Sequence, residues 1–257
     1  MGGARGSFKG LNPILQLGKV SGWLRLAVSL QSGGEWTPSI VDVLNAGSPM
    51  VQTDVDRRAA VGTSINGFPT MVFDGTDVHL WPQSPAHSFT TKVGIWFWYK
   101  PATVAGVQLI YGVTSGQAGN TTSRLSMWGQ GSDIVVTAMI TNTNGRQGNT
   151  SVAGALTAGA WHAMYLQYDS SRGGDANLAL FINGASKALT YFDIGVGGTL
   201  GALQTASGSA CVGAATDTDT PSIPIANGGQ IGPNIFAFND NLTAAEIAAV
   251  LAFEAPT

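Results

Sequence analysis

The stretch FTTKVGIWFWYK at residues 89–100 decides the fold class. Aromatic and β-branched residues dominate it, and Pro101 follows it, as expected where a β-strand ends. Successive residues of a strand point to opposite faces. One face therefore carries Val93, Ile95, Phe97 and Tyr99, and the other carries Gly94, Trp96, Trp98 and Lys100. Because both faces are bulky, this strand is predicted to lie inside a β-sandwich.

Shorter strand-like segments recur along the chain, with turn residues between them. The dipeptides Asp74-Gly75, Asn144-Gly145 and Asn183-Gly184 favour tight hairpin turns. The predicted strands are residues 70–73, 107–113, 124–128, 133–141, 161–169, 178–182 and 210–213. Residues 23–31 fit either a strand or a short helix, and residues 36–66 look irregular. This rhythm predicts an all-β, antiparallel sandwich or barrel.

One helix is predicted, near the end of the chain. Thr243 and Glu246 have the spacing of a capping box, in which each side chain bonds the other residue's backbone N–H. Ile247, Val250 and Leu251 then form an apolar stripe. We expect this helix to close one end of the sandwich.

The chain of 257 residues is predicted to form one sandwich preceded by two shorter parts. Residues 1–22 are glycine-rich and are interpreted as an extended N-terminal arm. Residues 23–59 are interpreted as a preamble that packs on the sandwich, and residues 60–257 as the sandwich itself. No secretory signal or membrane-spanning run is recognised. The single cysteine, Cys211, is expected to be a buried small hydrophobe.

Charge is scarce and unevenly distributed. Charged residues make up 11% of the chain, and the formal net charge is −3. The first 34 residues contain no acid and carry the cations Arg5, Lys9, Lys19 and Arg25. These four are the candidate residues for anchoring the arm to an anionic partner surface, with a solvated tail as the alternative. The pattern is too sparse to predict nucleic-acid binding.

Four segments, in order, resemble motifs of concanavalin A-like and laminin-G-like domains. They are residues 67–77 (GFPTMVFDGTD), 89–101 (FTTKVGIWFWYKP), 159–184 (GAWH, then YD, then LALFING) and 229–247 (GQI through NLTAAEI). The resemblance implies a jelly-roll of two packed sheets over roughly residues 60–252. Residues 36–67 resemble the region before such domains on bacteriophage virion proteins.

The chemistry of glycosidases on this fold is not recognised in the sequence. Such enzymes place two carboxylates across the scissile sugar bond. The glutamates are Glu35, Glu246 and Glu254, and none is predicted on a central strand beside a second acid. No nucleophile-elbow motif occurs, and His79, His87 and His162 lack zinc-ligand spacing. The chain is therefore predicted to be non-enzymatic.

The resemblance to this family suggests two ligands to consider, calcium and glycans. Asp74 with Asp77, or Asp217 with Asp219, could contribute oxygen ligands to calcium. Aspartates serve turns far more often, so no metal or cofactor is predicted. Glycan-binding sites use aromatic platforms, and the candidates here are Trp81, Tyr111 and Trp128.

Two functions are carried forward from the sequence. The leading hypothesis is a bacteriophage structural protein, a capsid decoration or head-fibre protein anchored through its arm to other virion proteins. Its location would be the virion, assembled in the host cytoplasm, and we expect a homo-oligomer, with a trimer consistent with threefold positions. The alternative is a lectin-like, carbohydrate-binding module that adsorbs to glycans, on a tail or elsewhere. A glycoside hydrolase is disfavoured.

Overall fold

The structure, a computed structural model, confirms an antiparallel β-sandwich with a short C-terminal helix. The residues that it describes are 17–30, 36–42, 59–62, 65, 69–76, 79–81, 91–114, 123–139, 145–150, 154–172, 174–195, 201–203, 210–214 and 224–254. Two sheets pack face to face within them. Strands are numbered in chain order.

Sheet A is built around the strand formed by Lys92–Lys100, and its neighbouring strands pair antiparallel. In spatial order it contains β13 (Ala185–Lys187), β12 (Leu178–Ile182), β11 (His162–Asp169), β6 (Lys92–Lys100), β16 (Gln230–Phe238), β1 (Val20–Leu30) and β2 (Trp36–Asp42). The short strand β4 (Met71–Val72) also pairs with β16, and β3 (Ala60–Val61) pairs with β4.

Sheet B is the second layer, and its strands are also antiparallel. In spatial order it contains β14 (Leu189–Ile194), β10 (Gly145–Thr150), β9 (Asp133–Met139), β8 (Ser123–Gln130), β7 (Val107–Thr114), β15 (Ala210–Val212) and β5 (His79–Trp81). The chain passes from sheet A to sheet B between β13 and β14, with one residue between the two strands.

Strand β6 is buried on both faces, as its sequence predicts. Ile95 and Phe97 face sheet B and belong to the core between the sheets. Trp96 and Trp98 face the opposite way and belong to a second apolar cluster on the outer side of sheet A. A strand with large side chains on both faces requires cover on both sides, and the outer cover is the C-terminal helix.

Helix α1 (Ala244–Glu254) covers the outer face of sheet A. Ile247 and Val250 are buried against an aromatic cluster. The predicted capping box is present: Thr243 N donates to Glu246 Oε2 at 2.6 Å, and Glu246 N donates to Thr243 Oγ1 at 3.3 Å. Lys19 Nζ lies 2.9 Å from Glu246 Oε2, so the beginning of the described chain is tied to the start of the helix.

The first described strands differ from the sequence-based expectation. Residues 36–42 were predicted to be irregular, and this was wrong, since they form β2 in register with β1. Proline is tolerated there because β2 is an edge strand, where Pro38 needs no backbone donor on its outer side. Residues 23–31 are resolved in favour of a strand as far as Leu30. Both strands extend sheet A, so part of the predicted preamble lies in the sandwich. Most of the predicted arm, residues 1–16, lies outside the described residues.

Of the predicted hairpin turns, Asn183-Gly184 occurs as expected, whereas Asp74-Gly75 forms a turn that leads from sheet A to sheet B and joins no hairpin. Asn183 (φ 53°) and Gly184 (φ 78°) connect β12 to β13 with the positive φ angles that a type I′ turn requires. Asp74 Oδ1 accepts hydrogen bonds from Thr76 N and Thr76 Oγ1, both at 2.7 Å, so Asp74 has the turn role that its type favours. Gly145 instead belongs to strand β10, which the sequence did not predict.

Asp169 joins the end of β11 to the segment that enters α1. Its Oδ2 accepts a hydrogen bond from Asn241 Nδ2 at 2.8 Å and lies 3.3 Å from Arg172 Nε. Its Oδ1 accepts from Ser171 N at 2.9 Å and from Ser171 Oγ at 2.6 Å. Burial alone would raise the pKa of Asp169, but these hydrogen bonds and the nearby cations Lys92 and Arg172 outweigh it and lower that pKa below its ordinary value.

This carboxylate makes stability depend on pH. A group with a depressed folded-state pKa stabilises the fold above its unfolded pKa, about 3.9, and that contribution is lost as pH falls through the folded value. We expect Asp169→Asn to lower the free energy of unfolding at pH 7 by about 1.5–3 kcal/mol. The difference from the wild type should shrink below pH 4, as measured by urea unfolding. An equal difference at pH 7 and pH 3 would contradict this role.

Candidate functional site

The two outer faces of the sandwich are unlike each other. On sheet A, α1 and an aromatic cluster cover the outer face of the central strands β6, β11 and β16. On sheet B, the described outer side chains are a mixture of aromatic, amide, hydroxyl and apolar groups, and those at its centre (Leu109, Ser126, Val135 and Thr137) are buried. Directly paired residues of antiparallel strands point to the same face. The register of sheet B therefore shows which of these side chains are neighbours.

Phe192 is the most exposed large apolar side chain of the described residues, with 51% of its surface exposed; the other such residue is Val107, at 42%. Phe192 lies on the edge strand β14, whose other face is anchored. Leu189 and Tyr191 pack against the core between the sheets, and Tyr191 Oη donates to Leu178 O at 2.8 Å. The exposed ring is thus held on a fixed strand.

An amide pair lies beside this ring on strand β10. Gln147 is directly opposite Phe192, and Asn149 is directly opposite Thr190. Gln147 Nε2 donates to Asn149 Oδ1 at 2.9 Å, which fixes the two half-buried side chains relative to each other. Gln147 Oε1 is then available as an acceptor and Asn149 Nδ2 as a donor. We call Phe192, Gln147 and Asn149 the amide–aromatic patch.

Trp128 lies on the same face, toward the middle of sheet B. Its half-buried ring packs against the buried side chains of Leu109 and Cys211. Its Nε1 hydrogen-bonds Ser126 Oγ, which also bonds Thr137 Oγ1. These bonds fix the ring edge and satisfy both hydroxyls internally. The burial of Cys211 is as the sequence predicts.

The three predicted glycan-binding aromatics have different positions. Trp128 is on the outer face of sheet B, separated from the amide–aromatic patch by strand β9. Trp81 lies in β5 at the opposite edge of sheet B, and its side chain is outside the described residues. Tyr111 was wrong as a candidate, because only 1% of it is exposed and its ring packs in the core against Phe97.

A β-bulge explains the error at Tyr111. Leu109 pairs with Trp128, but Tyr111 pairs with Met127, so residues 109–111 of β7 oppose only two residues of β8. In a regular strand Leu109 and Tyr111 would share the outer face. The extra residue rotates Tyr111 to the inner face, which strand alternation cannot show.

The four predicted anchoring cations are not brought together. Lys19 Nζ is paired with Glu246 and also donates to Asn241 O at 2.8 Å, so its charge is engaged within the chain and it is withdrawn as an anchor. Arg25 lies in β1, where only the backbone is described. Arg5 and Lys9 lie outside the described residues.

Sequence reasoning missed all three residues of the amide–aromatic patch. A weak signal for Phe192 was present, since LTYFDI at residues 189–194 is rich in β-formers. Residues 145–150, GRQGNT, carry no such signal because they contain no apolar side chain. Only the pairing of β10 with β14 brings the amides beside the ring.

No metal-binding cluster of three or more His, Cys, Asp or Glu residues is found in the part of the chain that the structure describes. Of the calcium candidates, Asp74 serves a turn, and Asp77, Asp217 and Asp219 lie outside that part.

His162 is buried and its Nε2 accepts from Thr157 N at 3.0 Å, the backbone bond that its position favours. Burial lowers the pKa of His162. No described helix is both long and apolar enough to cross a membrane.

Comparisons with known proteins show similarity to β-sandwich domains of solved structures. No family model matches the chain, and no curated protein matches its sequence. A Trypanosoma rangeli sialidase in complex with sialic acid is similar with a TM-score of 0.59 and 13% identity, over 91% of this chain. The receptor-binding domain of botulinum neurotoxin type G gives 0.60 and 13% over 93% of this chain.

A third solved structure is similar in size to the sandwich alone. The CBM40 domain of a Ruminococcus gnavus sialidase, bound to α2,3-sialyllactose, gives a TM-score of 0.55 and 16% identity, over 71% of this chain and 95% of that domain. The chain spans about a third of the sialidase and about half of the neurotoxin domain, 33% and 54% respectively. At these identities the similarity establishes a concanavalin A-like β-sandwich fold.

Proposed function

We propose that this chain is a carbohydrate-binding module that holds a glycan on the outer face of sheet B and does not cleave it. The observation that carries the proposal is the exposed ring of Phe192, directly opposite a preorganised amide pair. The negative face of an aromatic ring attracts the slightly positive C–H groups of a sugar. The adjacent acceptor and donor match sugar hydroxyls, which both donate and accept hydrogen bonds.

The choice of face follows from the architecture. On sheet A the outer side of the central strands is covered by the chain's own helix, so a ligand would have to displace α1 to reach the aromatic cluster there. Sheet B offers aromatic and amide groups on a rigid set of strands. The structural neighbours support the proposal, because they include a carbohydrate-binding domain with a bound sialyllactose and a receptor-binding domain.

The proposal is tested by a glycan array that contains neutral and sialylated oligosaccharides, followed by calorimetry with the best ligand. We expect specific binding, and we expect Phe192→Ala to weaken it at least about tenfold, equivalent to about 1.4 kcal/mol. Val107→Ala is the matched control, because it removes the other exposed apolar side chain four strands away and should leave the affinity unchanged. A silent array would overturn the proposal, and equal affinities for Phe192→Ala and the wild type would overturn the site.

The bacteriophage virion role is a separate proposal, which rests on the sequence resemblance. The structural comparisons support the lectin-like alternative better, and the two roles are compatible, since a virion protein can carry a glycan-binding sandwich. Removal of residues 1–16 leaves every described strand intact and is therefore the appropriate test. If truncated protein is incorporated into particles at full occupancy, the arm is not an anchor.

A further inference from the structure

We infer that the amide–aromatic patch contacts a single sugar unit of its glycan, so that its ligand is a short or terminal sugar rather than a stretch of polysaccharide. This inference rests on the proposed function and specifies the ligand class of the same site. Three features of the patch support it: the patch has one aromatic ring, buried side chains close it toward the centre of sheet B, and its polar groups lie within reach of one pyranose ring.

The patch contains one aromatic ring, that of Phe192. Among the described outer side chains of sheet B it is the most open ring, with 51% of the residue exposed. Trp128 is half-buried, and strands β9 and β10 lie between its strand and β14. A sugar stacks on the face of one ring at a time, so the patch provides one stacking position, which one sugar unit fills.

Buried side chains close the patch toward the centre of sheet B. On the neighbouring strand β9, Thr137 lies directly opposite Gln147. Val135 lies directly opposite Asn149 in the same way. Only 8% of Thr137 and 7% of Val135 is exposed. Because both side chains are already covered, a glycan held on the patch cannot continue across β9 toward Trp128.

The patch also ends at the edge of the sheet and along its strands. In the part of the chain that the structure describes, β14 is the last strand of sheet B, so no further strand follows Phe192 on that side. Along β10, Gly145 precedes Gln147 by two residues, is buried and has no side chain. Opposite it on β14 lies Ile194, which is half-buried and apolar. Sugar units beyond the first therefore meet neither a second ring nor a second amide pair among these residues.

The polar groups of the patch lie within reach of one pyranose ring stacked on Phe192. Gln147 is on the adjacent strand, about 4.8 Å away, and Asn149 is two residues further, about 7 Å along that strand. Their mutual hydrogen bond of 2.9 Å leaves Gln147 Oε1 to accept and Asn149 Nδ2 to donate. One sugar unit can therefore stack and bond through its hydroxyls at the same time. Because the amides are already held in place, little side-chain entropy is lost on binding.

The test compares matched ligands of one and of several sugar units, by calorimetry with the full chain. The probes are the methyl glycosides of glucose, mannose, xylose and N-acetylglucosamine with the matching cello-, manno-, xylo- and chito-hexasaccharides. Methyl β-galactoside with lactose and methyl α-sialoside with 3′-sialyllactose complete the series. We expect at least one methyl glycoside to bind, and its longer partner to bind no more than about tenfold more tightly. A gain within that limit is what the several equivalent units of a longer ligand provide by number alone.

Variants then show whether short and long ligands use the same contacts. Phe192→Ala should weaken the methyl glycoside and its longer partner by the same factor, about tenfold or more. Gln147→Met keeps the length of the side chain but removes its amide, and it should also weaken both ligands equally. Trp128→Phe is the matched control, because it changes a ring of sheet B outside the patch and should leave both affinities unchanged. Thermal unfolding of each variant confirms that it is folded.

The outcomes separate this inference from the proposed function. A longer ligand that binds more than about tenfold more tightly than its methyl glycoside, or that binds where the methyl glycoside does not, overturns the inference and leaves the binding module intact. The same conclusion follows if Trp128→Phe weakens the longer ligand alone, since a second contact would then lie toward the centre of sheet B. No binding by any probe here or on the glycan array overturns the proposed function itself.

Discussion

Gly94→Ala is expected to lower the free energy of unfolding by about 3 kcal/mol, the upper range for overpacking a core. A Cβ atom at this position would lie 2.7 Å from Tyr165 Oη and 2.9 Å from Tyr165 Cε2. The tyrosine cannot move aside easily, because it is fully buried and its Oη accepts a hydrogen bond from Leu242 N at 2.9 Å. Rings on β12 and β16 confine it further, with Phe181 at 5.7 Å and Phe238 at 6.1 Å between centroids.

Urea and thermal unfolding measure this effect. For a chain of this size the expected fall in Tm is about 6–12 °C. Gly129→Ala is the matched control, since Gly129 also lies within a strand but a Cβ there would meet only Gln108 O, at 4.0 Å. Tyr165→Phe removes the closest atom, so the double variant should be more stable than the sum of the single effects predicts. If Gly94→Ala is as stable as Gly129→Ala, the close packing of Tyr165 on β6 is incorrect.

Strong local patterns could be predicted from the sequence. Strand β6 is recognisable because its alternating large side chains permit no other structure, and β12 because LALFI is followed by a turn dipeptide. The capping box of Thr243 and Glu246 is likewise local, since both partners lie within one helical turn. These elements depend on residues close together in the chain, which a sequence displays directly.

Strand β10 could not be predicted from its own residues, because pairing with the neighbouring strands determines its conformation. Its glycines allow close approach: a Cβ at Gly145 would lie 2.3 Å from Ala138 O, and one at Gly148 would lie 3.0 Å from Leu189 Cδ1. Pairing with β9 and β14 fixes the positions of residues such as Gln147. Propensity is a weak guide where tertiary pairing decides the conformation.

The candidate site could not be predicted from the sequence for the same reason. Phe192 and Gln147 are far apart in the sequence, and they become neighbours only through the β10–β14 register. Aromatic composition alone instead pointed to Tyr111, which a single bulge residue turns into the core. Predicting the site would have required both the strand order of sheet B and the position of that bulge.

The C-terminal helix covers the aromatic part of the outer face of sheet A. The outer face of sheet A is as aromatic as a binding surface, with Trp96, Phe236 and Phe238, but these rings are buried. Large exposed apolar areas destabilise a soluble domain unless a partner covers them. Helix α1 provides that cover from within the chain.

The double substitution Ile247→Ala with Val250→Ala is therefore expected to cost about 4 kcal/mol or more of unfolding free energy. Both side chains are buried against the aromatic cluster, and truncating a buried isoleucine alone costs about 2–5 kcal/mol. Total stabilities of about 5–15 kcal/mol make this a large fraction. Chemical unfolding at 10 °C measures it, with the exposed-side substitutions Ala248→Ser and Ala249→Ser as the control, which should change stability by only tenths of a kcal/mol per site.

The same variant tests whether the two faces are independent. The amide–aromatic patch is on the other sheet, so molecules that remain folded should bind glycan with the wild-type affinity once the folded fraction is taken into account. A loss of stability without a loss of intrinsic affinity would assign α1 to the fold and sheet B to recognition. If affinity instead falls in the folded fraction, the helix face contributes to the binding site, and the assignment of the ligand to sheet B alone is wrong.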